Sequence, residues 1–202
     1  VVVATDDQRI HSAVSCFNGN AMMTDAEHRS GTDRVAEVAE KLALAPADLV
    51  INVQGDQPLV RPDCFDAVVA PLLADPGLDM STLAFTIHDV KEYTNPKDCK
   101  VVMDGQSNAL YFSRAPIPWE RDQDQSFVAY KHLGVYAYRR PYLDVFRRLP
   151  TGRLEQIEKL EQLRALENGH RIRVVVTPYD SPEVDLPEDI GRIERLWMSP
   201  TA

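Results

Sequence analysis

Short apolar runs rich in β-branched residues alternate with longer amphipathic stretches along the first half of the chain. The predicted strands are the runs at 1–5 (VVVAT), 21–24, 48–53 (DLVINV) and 80–87 (MSTLAFTI). The predicted helices between them cover residues 7–17, 33–44 and 62–73. Because each strand is followed by a helix, the order predicts a mostly parallel sheet with helices on both faces.

The second half of the chain has a different pattern, in which strands follow one another closely. Strands predicted at 100–104, 109–114 and 132–139 have little helix between them, which indicates an antiparallel insertion at about residues 100–150. One long helix is predicted over residues 153–169, with an apolar ridge of Leu154, Ile157, Leu160, Leu163 and Leu166 and a cap at Gly169. A last strand and a closing helix complete an α/β, Rossmann-like fold, predicted as a single domain over residues 1–202.

Composition and charge narrow the class of protein. The chain of 202 residues has 22 basic and 31 acidic side chains, a net charge of −9. This balance argues against a protein that binds nucleic acid or an anionic membrane, but it allows a nucleotide substrate. The three cysteines lack metal-ligand spacing and are typical of free thiols, and no apolar run is long enough to span a bilayer. We therefore expect a cytoplasmic protein.

Several common catalytic signatures are absent from the sequence. It contains no G-x-G-x-x-G or P-loop motif, no D-x-D strand end, no G-x-S-x-G elbow and no H-x-x-x-H pair. What remains is a set of polar clusters at the predicted ends of strands, where ligands bind in open α/β sheets.

Three of these clusters have a local and a functional interpretation. Segment 28–34 (HRSGTDR) places Ser30 and Thr32 at the start of a helix, as a cap or as a contact to a ligand. Asp56 follows a buried strand in NVQGDQP, and Asp185 precedes a helix in VDLPEDI. Each aspartate can bond its own backbone, but two carboxylates at one sheet edge also suit Mg²⁺ shared with phosphates.

Two further clusters suggest recognition of an acidic, hydroxyl-rich ligand. Arg114 ends a strand in YFSRAPIPW, and alternation in KHLGVYAY places His132 and Tyr136 on one strand face. Glu161 and Gln162 fall on the predicted helix at 153–169, where a solvated helix flank is the plainer interpretation.

The order of these motifs resembles one family. VVVATDD, HRSGTDR, VNVQGDQP, ALYFSRAPIPW, KHLGVYAY, LEQIEKLEQLR and VDLPEDI together closely resemble the 3-deoxy-manno-octulosonate (Kdo) cytidylyltransferases over nearly the whole chain. Sialic-acid cytidylyltransferases are similar but lack the combination of YFSRAPIPW and HLGVYAY. The resemblance implies a fold of the nucleotide-diphospho-sugar transferase type, with CTP and a 3-deoxy sugar acid as the substrates.

The resemblance also implies a reaction and a site. The anomeric hydroxyl of Kdo attacks the α-phosphate of CTP, giving CMP-Kdo for lipopolysaccharide synthesis and pyrophosphate. The resemblance implies catalytic roles for Asp56, Asp185 and Arg114, with both aspartates as Mg²⁺ ligands. It places around the cytidine Ser30, Thr32, Arg34 and Gln54. It places around the sugar acid His132, Tyr136, Glu161 and Gln162, together with Arg114. A homodimer is implied as well. Family members begin with a strand and a basic triphosphate-binding loop that these residues do not include, so we expect a longer polypeptide.

Two alternatives stay open at this stage. The first alternative is a cytidylyltransferase for another sugar acid, such as an amino-substituted Kdo or a sialic acid, because one polar contact is enough to decide the acceptor. Alternatively, it is a catalytically silent module that binds a sugar acid or dimerises.

Overall fold

A computed structural model of the chain describes residues 1–122 and 127–198. The strands are β1 (Val3–Thr5), β2 (Ala21–Met23), β3 (Leu49–Val53), β4 (Met80–Thr86), β5 (Lys100–Met103), β6 (Ala109–Ser113), β7 (Tyr130–Arg139) and β8 (Arg173–Thr177). The helices are α1 (Gln8–Cys16), α2 (Gly31–Lys41), α3 (Asp63–Ala74), α4 (Val90–Thr94), α5 (Arg140–Arg148), α6 (Arg153–Glu158), α7 (Leu163–Glu167) and α8 (Pro187–Met198).

The strands of the described residues form two sheets. β1 and β2 pair in parallel, and the other six strands form one larger sheet. In that sheet β3, β4, β5 and β8 run in one direction, whereas β6 and β7 run in the opposite direction. The predicted α/β fold with a mostly parallel sheet and antiparallel strands in its second half is confirmed.

The long strand β7 organises the larger sheet. It pairs with β4 along one edge, and along its other edge with both β3 and β5. The antiparallel strands predicted as an addition to a parallel core therefore reach its centre, since β7 lies between β3 and β4. Local periodicity cannot show this arrangement, because it carries no information about which strands are neighbours.

Alternate residues of β7 face two hydrophobic cores. Leu133, Val135 and Ala137 pack against helix α3 on one face of the sheet. Tyr136 and Tyr138 point to the other face, where α2, α5 and α7 cover them. The side chains of β7 on this second face therefore lie next to the beginning of α2 and to the segment between α6 and α7.

The prediction of a single helix over residues 153–169 is wrong. The chain forms two short helices, α6 and α7, and Lys159 between them has a left-handed backbone with φ of 57°. Leu160 and Leu163 are buried as predicted, but Ile157 is 65% exposed. Gly169 has φ of +78° just after α7, in the position expected of a C-terminal cap.

No helix among the described residues combines the length and the apolar character needed to cross a bilayer. The three cysteines, Cys16, Cys64 and Cys99, are unpaired thiols, as their spacing predicted.

Candidate active site

The candidate site lies where two strands meet the same edge of β7. β3 ends with Val53 opposite Val135, and β5 begins with Lys100 opposite Lys131, so Gly134 of β7 lies between the two strand ends. A cavity of about 600 Å³ opens there. Eight of the predicted site residues line it, namely Ser30, Gln54, Asp56, Arg114, His132, Tyr136, Glu161 and Gln162.

Two glycines make room for Gln54 at the floor of this cavity. A Cβ atom on Gly134 would lie 3.0 Å from Cγ of Gln54 and 3.0 Å from Nε2 of Gln57, and one on Gly31 would lie 3.1 Å from Nε2 of Gln54. Gln54 thus passes between the start of α2 and the middle of β7. Larger residues at either glycine would displace it.

Glu161 joins this arrangement because the chain breaks between α6 and α7. Its Oε2 accepts a hydrogen bond from the backbone amide of Thr32 (3.1 Å), and its Oε1 accepts one from Nε2 of Gln54 (3.4 Å). Burial raises the pKa of Glu161, and the bond from Thr32 opposes that shift. The carboxylate therefore faces free amides at the beginning of α2, where negative charge is favoured.

His132 and Tyr136 point into the cavity from alternate positions of β7. Burial lowers the pKa of His132 to about 3, so the ring is neutral. Its Nε2 lies 2.9 Å from Oγ1 of Thr82, and that hydroxyl donates its one proton to the carbonyl of Val135 (2.9 Å). With the hydroxyl proton on that carbonyl, the ring tautomer that completes the bond to Thr82 has its proton on Nε2 and leaves Nδ1 as an acceptor.

Tyr136 donates a hydrogen bond from its hydroxyl to Oε1 of Gln162 (3.2 Å). Burial raises the pKa of Tyr136 well above its ordinary value, so the phenol stays protonated. The pair fixes the orientation of the Gln162 amide at the cavity wall.

Arg114 lines the cavity, but much of its guanidinium already has partners. Nε donates to the carbonyl of Glu158 (2.9 Å), and Nη1 donates to the carbonyls of Pro96 (3.1 Å) and Lys97 (3.3 Å). A ligand carboxylate at this side chain would meet a guanidinium whose position the protein has already fixed.

Three carboxylates gather at the open side of the site. The amide of Val184 donates to the carbonyl of Asp56 (2.8 Å), which brings Glu183 and Asp185 next to the turn after β3. Burial and the charge of Asp185 raise the pKa of Asp56. Burial, followed by the charges of Asp56 and Asp185, raises the pKa of Glu183. Glu183 lines both this cavity and a second one of about 580 Å³, whose lining includes Asp185.

This donor set fits a hard cation shared with a substrate. Carboxylates that raise one another's pKa are stabilised by a positive charge placed between them. Within residues 1–122 and 127–198, no three histidine, cysteine, aspartate or glutamate side chains form a metal-binding group by themselves. Mg²⁺ commonly takes one or two protein carboxylates and completes its shell with water and phosphate oxygens.

Two predicted residues lie behind the cavity wall. Thr32 is fully buried, and its hydroxyl lies 2.9 Å from that of Tyr138. Arg34 contacts Asp6 at 3.2 Å and Oγ1 of Thr24 at 2.5 Å, so it joins α2 to the small sheet.

Sequence reasoning missed the buried ion cluster that supports the wall. Arg164 is fully buried and contacts Glu155 (2.6 Å) and Asp33 (3.3 Å), which links α7, α6 and α2. Charged residues at helical spacing resemble an exposed face in sequence, so no local signal distinguishes this cluster. Glu183 was missed because it lies in the loop before α8, where an acidic side chain gives no local signal of burial.

The fold and the site define a protein that transfers a nucleotide. The family model described as cytidylyltransferase matches residues 1–172. A solved structure of CMP:2-keto-3-deoxy-manno-octonic acid synthetase complexed with CTP superposes with a TM-score of 0.88 and 41% identity, covering 98% of this chain and 80% of that chain.

Curated relatives define the family more closely. A 3-deoxy-manno-octulosonate cytidylyltransferase from Desulfosudis oleivorans is 61% identical over 202 residues, which are 100% of this chain and 82% of the relative. An 8-amino-3,8-dideoxy-manno-octulosonate cytidylyltransferase from Shewanella piezotolerans is 53% identical, over 94% of this chain and 78% of the relative. The chain belongs to the 3-deoxy-manno-octulosonate cytidylyltransferase family, as its motifs predicted.

Proposed function

We propose that the protein transfers CMP from CTP to the anomeric hydroxyl of 3-deoxy-manno-octulosonate, releasing pyrophosphate. The observation that carries this proposal is the 61% identity to a Kdo cytidylyltransferase along the whole chain. The cavity supports it, because eight of the residues expected around CTP and the sugar acid line one space.

The geometry suits a reaction in which the protein aligns reactants and balances charge. Nucleotidyl transfer needs in-line positioning and neutralisation of the phosphate more than a covalent residue. Gln54 and Ser30 form the end of the cavity at α2, where we propose that the cytidine binds. At the other end, Nδ1 of His132 accepts a hydrogen bond from a sugar hydroxyl, and Gln162 is held by Tyr136 to receive another.

We propose that Asp56 and Asp185 hold Mg²⁺ together with the phosphates of CTP. Bound there, the ion would polarise the α-phosphate and lower the pKa of a coordinated sugar hydroxyl. Asp56 supplies an exposed carboxylate from the turn after β3, and Asp185 supplies another from the segment before α8. Glu183 lies beside both and adds to the negative potential that attracts the cation.

The test is pyrophosphate release by the protein expressed from its complete reading frame. We expect release with CTP, Mg²⁺ and Kdo together, and none when any one of them is omitted. Equal turnover of UTP with a hexose phosphate would refute the proposal.

A second acceptor is 8-amino-3,8-dideoxy-manno-octulosonate, because a 53% identical relative carries that name. Parallel assays with Kdo and the 8-amino sugar give the ratio of kcat/KM directly. A ratio above one in favour of Kdo supports the leading assignment, and a ratio below one replaces it.

We also propose that the protein is a cytoplasmic homodimer whose product feeds lipopolysaccharide synthesis. Leu110, Trp119 and Val128 in the antiparallel region are 62%, 70% and 55% exposed, which supports an apolar contact between two copies. Sedimentation equilibrium would give twice the mass of one chain, and a single-chain mass would contradict the dimer.

A further inference from the structure

A short backbone segment separates the two cavities. Residues Asn95–Asp98, which we call the rim segment, connect α4 to β5. Lys97 in this segment lines both cavities, and Lys97 is exposed. Its side chain therefore stands where the carboxylate cluster and the sugar end of the site adjoin.

Two cations hold all four carbonyl groups of the rim segment. Lys100 is fully buried, and its Nζ donates to the carbonyls of Asn95 (2.8 Å) and Asp98. Nη1 of Arg114 donates to the carbonyls of the two residues between them, Pro96 and Lys97. A buried ammonium is costly unless its donors are satisfied, so these bonds restrict the backbone of the rim segment strongly.

The other cations of the first cavity differ from Lys97 in their partners. Arg164 is bound by Glu155 and Asp33, Arg29 contacts Asp33 at 3.7 Å, and Arg114 donates to the rim segment. Among the described residues, the guanidinium of Arg114 also has no ion pair inside 4.0 Å, the limit for such a pair, but it donates to backbone carbonyls. The other lining cations without such a pair are the ammonium groups of Lys97 and Lys159. Of the two, Lys97 has the backbone that buried cations fix in place.

A sugar acid carries one carboxylate, and this region offers that charge a partner. Arg114 is the neighbouring cation, but three of its hydrogen bonds go to backbone carbonyls. An added ammonium at the rim would complete the charge balance of an acid bound beside Arg114, at low conformational cost because the backbone is already ordered.

We propose that Lys97 is a specificity-determining residue that pairs with the carboxylate of the sugar acid, and that Lys100 and Arg114 position it through the rim segment. This inference rests on the proposed function, since it assigns a role in binding the acceptor of that reaction. Lys97 acts on acceptor binding and not on the chemical step, and Lys100 is a positioning residue that touches no substrate.

The experiment compares Lys97→Met, Lys100→Met and the double variant in steady-state assays with Kdo and CTP. We expect Lys97→Met to raise the KM for Kdo about tenfold, with kcat and the KM for CTP unchanged. Lys97→Arg keeps the charge and should restore most of the loss. Lys91→Met is the matched control, because Lys91 lines the second cavity alone, and its KM for Kdo should stay at the wild-type value.

The double variant tests the positioning role. If Lys100 acts through Lys97, the double variant should be no worse than the more affected single variant, whereas independent effects would multiply. Should Lys100→Met fail to fold, Lys97→Met and Lys97→Arg decide the charge role, and Lys100→Arg replaces the positioning variant.

An unchanged KM for Kdo in Lys97→Met, or a rise confined to the KM for CTP, overturns the inference. An equal loss in Lys97→Arg also overturns it, since charge would then not be the cause. These outcomes are distinct from failure of the proposed function, in which the wild-type protein itself makes no CMP-Kdo.

Discussion

Two walls of the first cavity are built in opposite ways. One, the hydrogen-bonded wall, is formed by side chains that already have protein partners, namely Gln54, His132, Tyr136, Glu161 and Gln162. The other, the carboxylate wall, contains Asp56 and Glu183, and Asp185 lies beside them in the second cavity. Burial and neighbouring negative charge raise the pKa of Asp56 and Glu183.

We interpret this difference between the two walls as a division between recognition of the ligand and the reaction of the phosphate. The hydrogen-bonded wall has its geometry in the folded chain, so it can select a ligand by shape and by fixed donors and acceptors. The carboxylate wall has excess negative charge, which favours a bound cation, and we propose that this cation binds together with the phosphates of CTP. We therefore expect changes in packing to disrupt the hydrogen-bonded wall and changes in charge to disrupt the carboxylate wall.

The largest effect is expected at the ion cluster that supports the hydrogen-bonded wall. Arg164→Met leaves the buried Glu155 without its cation and leaves Asp33 with the longer contact to Arg29 at 3.7 Å. We expect a loss of about 3–5 kcal/mol in the free energy of unfolding, the usual cost of breaking a buried pair. Urea denaturation of the wild-type and variant proteins measures it.

Arg9→Met is the control for this variant. Arg9 also pairs with an aspartate, Asp7, but its side chain is 91% exposed, so its removal should change stability little. Similar losses in the two variants would mean that burial is not the source of the effect.

The role of this cluster shows where sequence reasoning stops. The strand before Asp56 and the strand that contains His132 were predictable, because apolar runs and alternation report burial locally. The left-handed residue Lys159 was not, because the leucine spacing from Leu154 to Leu166 continues through it. The break that brings Glu161 to α2 depends on partners more than 100 residues away, such as Thr32. Similarly, the rim-segment bonds of Arg114 cannot be read from YFSRAPIPW.

The next effect concerns the carboxylate wall. Asp56→Ala should lower kcat/KM about a hundredfold, or about 3 kcal/mol, because it removes a charge that we propose lies beside the reacting phosphate. The apparent affinity for Mg²⁺ should fall as well, while the free energy of unfolding stays equal or rises, since Asp56 is repelled by Asp185. Activity titrated with Mg²⁺ measures the first two quantities.

Asp66→Ala is the matched control, because Asp66 is exposed on α3, against the other face of the sheet. Its kcat/KM and its Mg²⁺ titration should follow those of the wild-type protein. If Asp56→Ala does the same, the carboxylate wall has no part in the reaction.

The smallest effect near neutral pH belongs to the pH dependence of the hydrogen-bonded wall. Burial lowers the pKa of His132 from 6.5 to about 3. Between those values the unfolded chain binds a proton at His132 and the folded chain does not, so His132 contributes a loss of stability as the pH falls through this window. The contribution is at most about 1.4 kcal/mol per pH unit.

In His132→Gln the free energy of unfolding should fall less steeply from pH 6.5 downward. In His88→Gln, which changes an exposed ring, the wild-type slope should remain. Equal slopes in all three proteins would show that His132 titrates alike in the folded and unfolded chains, and burial would then not keep its ring neutral below pH 6.5.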